Sequence, residues 1–115
     1  MSLVIKATPK ESPYYPRGET AKITFEHGRI QVECKKAETH EFISGLLANQ
    51  LFVQGRGFPL LRRGENGALV VNPETKRYEL EGYVRLDDTP ERILRAIQDG
   101  LEATNQFEIA LVNEA

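Results

Sequence analysis

The stretch Thr20–Cys34, TAKITFEHGRIQVEC, decides the fold. Ile23 and Phe25 alternate with polar neighbours, His27-Gly28 intervenes, and Ile30, Val32 and Cys34 alternate again. Two residues ending in glycine between two period-2 runs predict a tight β-hairpin, because the primed turns that join twisted strands need positive φ. Both apolar rows then lie on one face, the core side, and that face carries the only cysteine.

Upstream, Ser2–Thr8 reads as a first strand, with Leu3, Val4 and Ile5 supplying apolar bulk. Pro9, Pro13 and Pro16 follow, and proline's missing donor and fixed φ predict an exposed loop there. Downstream, Thr39 is the expected N-cap of a helix whose stripe is Phe42, Ile43, Leu46, Leu47 and Leu51. Gly45 weakens that helix by about 1 kcal/mol relative to alanine, so close packing or a marginal element is expected there.

Beyond it, Leu60 and Leu61 suggest a short strand, and Ala68–Val71 reads as a buried one. Asn72-Pro73-Glu74-Thr75 is a turn sequence. Arg77–Leu86 alternates, with Tyr78, Leu80, Val84 and Leu86 on the apolar side and Gly82 marking a bulge. The second helix is the firmest: Thr89 caps it, Pro90 takes the first helical position, and Ile93, Leu94, Ile97 and Leu101 form its stripe. Phe107, Ile109 and Leu111 make a closing strand.

The order hairpin, helix, hairpin, helix predicts an α+β fold, one mainly antiparallel sheet with two helices on one face. Sliding the chain by 50 places aligns Ile30 with Leu80, Cys34 with Val84 and Thr39 with Thr89. A duplicated ββα unit would give that match; so would any strand followed by a capped helix. With 115 residues, residues 1–115 are expected to form one domain, burying roughly 65% of the unfolded surface.

Composition narrows the function. Fifteen Lys and Arg against 17 Asp and Glu give a net charge of −2, so no global field collects nucleic acid or anionic lipid. No apolar run approaches the roughly 20 residues of a membrane span. The opening residues lack a secretory pattern, and one cysteine suits a reducing compartment, so a cytoplasmic location is expected.

Chemistry-bearing patterns are sparse. Cys34, His40 and Glu41 contain the parts of a thiol site, but the alternation places Cys34 in the buried row, where cysteine is an inert small hydrophobe. His27, His40 and Cys34 have no metal-ligand spacing, and Glu38, His40 and Glu41 would hold a surface cation only weakly. Gly55-Arg56-Gly57 lacks the continuation of a dinucleotide or P-loop motif, so no cofactor is expected. Asp87 and Asp88, at a strand-to-helix junction, suit helix capping.

One segment stands apart: Gln54–Gly64, QGRGFPLLRRG, with three arginines and no acid between Gly55 and Gly64. Guanidinium groups fork onto carboxylate or phosphate, and an aromatic beside them offers a stacking face. Arg56, Phe58, Arg62 and Arg63 are therefore the candidate binding residues of a small non-enzymatic module contacting a protein partner or a second copy of itself. The same loop suits single-stranded nucleic acid, and a thiol enzyme on Cys34 is the third reading. Against all three stands a plain loop whose apolar residues fill the core while its arginines are solvated. Tyr14-Tyr15-Pro16-Arg17 is a smaller candidate of the same kind.

Overall fold

A computed structural model describes residues 2–11 and 19–114. The expectation for Tyr14–Arg17 and most of the proline-rich loop lies outside the described residues.

The chain forms strands β1 (Ser2–Pro9), β2 (Ala21–Glu26) and β3 (Arg29–Glu33), helix α1 (Ala37–Gly45), strands β4 (Phe58–Leu61) and β5 (Leu80–Val84), helix α2 (Pro90–Ala103) and strand β6 (Phe107–Glu114). A four-stranded antiparallel sheet has the order β3-β2-β1-β6, and β4 and β5 pair in a separate antiparallel ribbon. The class is α+β.

The β2–β3 hairpin turns at His27 (φ 53°) and Gly28 (φ 75°), the left-handed pair that a two-residue primed turn requires. Ile23 faces Val32 and Phe25 faces Ile30 across it. Ile5 pairs with both Ile23 and Leu111, so these residues share one face of the sheet. Both helices cover that face: Ile43, Leu46 and Leu47 from the first helical region join Ile93, Leu94, Ile97 and Leu101 of α2 in one apolar cluster with Ile5, Ile23 and Phe25. Phe58 and Val84 extend the cluster into the small ribbon.

The start of α2 follows the sequence reading. Thr89 Oγ1 accepts from the Arg92 amide at 3.3 Å, and Pro90 opens the helix. The start of α1 does not. Lys36 is its N-cap, and the Lys36 amide donates to the Glu19 carboxylate, 17 residues earlier in the chain. Thr39 sits inside the first turn and is buried, so it packs rather than caps.

Gly45 marks the end of α-helical geometry. Residues Leu46–Leu51 continue as a π-helical segment, closed by the Phe52 amide donating to the Leu47 carbonyl at 3.1 Å. A Cβ at Gly45 would meet nothing within 4 Å, so the glycine marks a marginal helix rather than a close approach.

Between β4 and β5 the chain makes an excursion over residues 62–79. Ala68–Val71 is not the buried strand its apolar run suggested: only single bridges join Arg63 to Leu69 and Val71 to Tyr78, and Val71 is 47% exposed. Three backbone bonds close a ring instead. Arg62 N–H donates to Glu79 O (2.9 Å), Glu79 N–H to Val70 O (3.0 Å), and Val70 N–H to Arg62 O (3.0 Å). The turn at Asn72 is as read, its side chain accepting from the Glu74 and Thr75 amides. The register slips between Leu60 and Leu61, which pair with Gly82 and Leu80, so Glu81 is the extra residue beside Gly82.

The row Tyr78, Leu80, Val84, Leu86 splits. Val84 is core, whereas Tyr78, Leu80 and Leu86 are each at least 40% exposed. The β4–β5 ribbon has no second sheet over those positions, and alternation alone does not reveal that. The duplicated ββα unit is not confirmed. The first hairpin turns in two residues and joins the main sheet, while the second is split by its excursion and forms its own ribbon.

Candidate functional site

The arginine-bearing segment divides sharply. Phe58 is 2% exposed, at the centre of the core, with its ring edge-on to Phe52 at 5.2 Å between centroids. It offers no stacking face. Arg63 turns inward to α2: its Nε (3.0 Å) and Nη2 (2.6 Å) fork onto Asp99 Oδ1, Nη2 also meets Glu102, and Nη1 donates to the Gly67 carbonyl at 2.8 Å. Asp99 accepts further from the Leu61 amide at 3.4 Å. Burial pushes the Asp99 carboxyl above its ordinary range, more than Arg63 pulls it down. Glu102, with Asp99, holds the Arg63 proton more firmly than in water.

Arg63 thus clamps the 62–79 excursion to α2. Arg62 pairs with Glu79 at 3.4 Å in an exposed bridge, a contact of small energetic weight. No local signal in the sequence marked this clamp: Asp99 lies well round the helix from Ile93, Leu94, Ile97 and Leu101, and it is buried because Arg63 and the Leu61 amide come to it from elsewhere in the chain.

Arg56 remains. It rides on a tight turn in which the Val53 amide donates to the Gly57 carbonyl and the Gly57 amide donates back, both at 2.8 Å. Gly57 has φ 109°, and a Cβ there would lie 2.3 Å from the Val84 carbonyl oxygen, so only glycine lets this turn press against β5. The exposed Arg56 guanidinium lies 5.6 Å from the centroid of the Tyr83 ring. Arg85 follows on the same strand side of the cleft. Among the described residues neither Arg56 nor Arg85 forms a salt bridge, although Asp87 lines the same cleft.

This cleft, about 270 Å³, shares Phe52 and Leu86 with an apolar groove of about 250 Å³. Ile30 and Val32 of β3 form one wall of the groove; Ser44, Leu47 and Ala48 form the other. Phe58 lies in its floor. Among the described residues Ser44 is the only polar side chain in that lining. A second apolar groove of about 310 Å³ lies between α2 and the ribbon, where Leu61, Tyr78, Leu80 and Ala96 line it. The π-helical segment contributes to both, through Leu47 to the first and Leu51 to the second. Sequence reasoning named Arg56 but missed Arg85 and Leu86, because both were assigned to a regular strand.

The parts of a thiol site are not assembled. Cys34 is half-buried, its Sγ donates to the Lys36 carbonyl at 3.6 Å, and burial, then Glu19, raise its pKa. No hydrogen bond joins Cys34 to His40 among the described residues. Nor, among those residues, do three His, Cys, Asp or Glu side chains gather as metal ligands. No helix among them is long and apolar enough to cross a membrane.

No protein-family model, curated protein or solved structure matches this chain. The functional reading therefore rests on the side chains themselves.

Proposed function

We propose that the protein is a non-enzymatic recognition module that binds a segment of a partner protein on the face formed by the Val53–Gly57 turn and the adjoining apolar groove. One observation carries this reading: two exposed arginines, neither engaged by an acid of the described residues, border a groove whose lining is almost wholly apolar. A few arginine and aromatic anchors, seated around well-packed apolar pockets, carry much of the energy in protein interfaces. Thiol chemistry lacks both a paired base and a lowered thiol pKa, and a nucleic-acid reading loses the ring on which bases would stack, since Phe58 is interior.

Selection of a random displayed peptide library on the immobilised protein tests the proposal. Enriched binders that are lost on the Arg56→Glu/Arg85→Glu variant and kept on Arg62→Glu support it. No enrichment over a blank surface removes it. So does salt-sensitive binding of a labelled single-stranded oligonucleotide that the same double variant abolishes.

A further inference from the structure

β3 is an edge strand, and its geometry says which atoms it offers. The two-residue turn makes Glu26 and Arg29 the first hydrogen-bonded pair, so bonding alternates through Thr24–Gln31 and Lys22–Glu33. Ile30 and Val32 therefore aim their backbone N–H and C=O groups away from β2, toward the open side of the sheet. No described strand or loop pairs with that edge. The side chains of the same two residues form a wall of the apolar groove, and the groove continues into the Arg56–Arg85 cleft.

We infer that an extended peptide of the partner protein adds to β3 as a fifth strand, hydrogen-bonding to the backbone of Ile30 and Val32. Alternate apolar side chains of that peptide enter the groove, and a carboxylate beyond them meets Arg56 and Arg85. The inference rests on the reading above and sharpens it. Strand addition at a sheet edge takes its affinity from main-chain bonds and its specificity from every second side chain. Here the free main-chain groups and the pocket walls belong to the same residues, so one occupant satisfies both. Residues directly opposite one another in a sheet share a face, which sends the added strand's side chains to the groove side at the positions facing Ile30 and Val32. The charge fits as well: two guanidiniums next to an apolar trough complement an apolar run closed by an acid or a free C-terminus.

The test uses synthetic heptapeptides alternating Val, Ile or Leu with Thr or Ser, ending in Glu or in Lys, each with a free or amidated C-terminus. They are titrated into the ¹⁵N-labelled full-length protein. The expected result is saturable binding in which the Ile30 and Val32 amides shift and exchange more slowly with solvent. Acid-ended peptides should bind at least about tenfold more tightly than Lys-ended amides, and Arg56→Glu/Arg85→Glu should erase that preference. Equal affinity for both ends overturns the inference, as does saturation without movement of the Ile30 and Val32 amides. Concentration-dependent doubling of mass, with those amides shifting in the absence of peptide, assigns the edge to a second copy and overturns it too. If the random library yields binders while every alternating peptide fails, the strand-addition inference falls and the recognition proposal stands.

Discussion

Replacing Arg63 with methionine tests the clamp between the excursion and α2. The substitution keeps an apolar stem but removes the guanidinium that serves Asp99, Glu102 and the Gly67 carbonyl at once. Removing one partner of a buried pair costs about 3–5 kcal/mol, because a charge is left without compensation. The Asp99 side chain is only 5% exposed, but that of Arg63 is 31% exposed, so water reaches one side of the pair. The expected loss is therefore about 2–3 kcal/mol at neutral pH. With a urea m-value of about 1.5 kcal/mol/M for a chain of this size, the midpoint falls by about 1.3–2 M.

The pH dependence distinguishes this loss from lost packing. Asp99 already titrates above its unfolded range because it is buried. The folded protein thus holds that proton more tightly than the unfolded chain does, and ionising Asp99 costs stability as pH rises through its folded value. Without Arg63 the folded value climbs further. The deficit of Arg63→Met should accordingly be greatest at neutral pH and smaller in mildly acidic buffer, because the variant's Asp99, its carboxyl raised further, takes up its proton more readily as pH falls. Urea unfolding of both proteins at the two pH values measures this. Arg63→Met/Asp99→Leu, which removes both charges, should recover much of the stability. A loss below about 1 kcal/mol that is the same at both pH values would refute the clamp.

Other substitutions probe separate features. Gly57→Ala should destabilise by about 2 kcal/mol or more, since its Cβ would strike the Val84 carbonyl and φ 109° suits only glycine; thermal unfolding reads it. Gly45→Ala should instead stabilise by about 0.5–1 kcal/mol, since the φ of −64° is helical and nothing lies near the new methyl. Thr89→Ala, which removes the cap of α2, should cost about 1 kcal/mol in denaturant unfolding. The Cys34 thiol should react more slowly with a disulfide reagent than in the urea-unfolded chain. Its rate profile should also lie at higher pH, because burial and Glu19 raise its pKa.

Local signals made much of the fold legible. His27-Gly28 fixed the hairpin because only left-handed residues close a two-residue turn, and Thr89-Pro90 fixed the start of α2 because both act within one helical turn. Misreadings arose where a distant partner decides. The N-terminus of α1 is tied to Glu19, which no local pattern connects to Lys36. Phe58 and Arg63 sat in a glycine-rich stretch that resembled a loop, yet Phe52 and Asp99 draw one into the core and the other onto a helix. Of the candidate site, only Arg56 could be found from sequence. Its neighbours Arg85 and Leu86 become accessible because the ribbon lacks a facing sheet, which is a tertiary fact.

The three backbone bonds that join Arg62, Val70 and Glu79 form a junction from which two turns emerge, and Arg63 ties the tip of the first back to the body through the Gly67 carbonyl. The second turn carries no such tie among the described residues, so lengthening the chain near Glu74 leaves the junction and the core untouched. That tip is therefore a natural place to graft a tag or an epitope, on a region whose attachment to the body is set by Arg63 rather than by the grafted sequence.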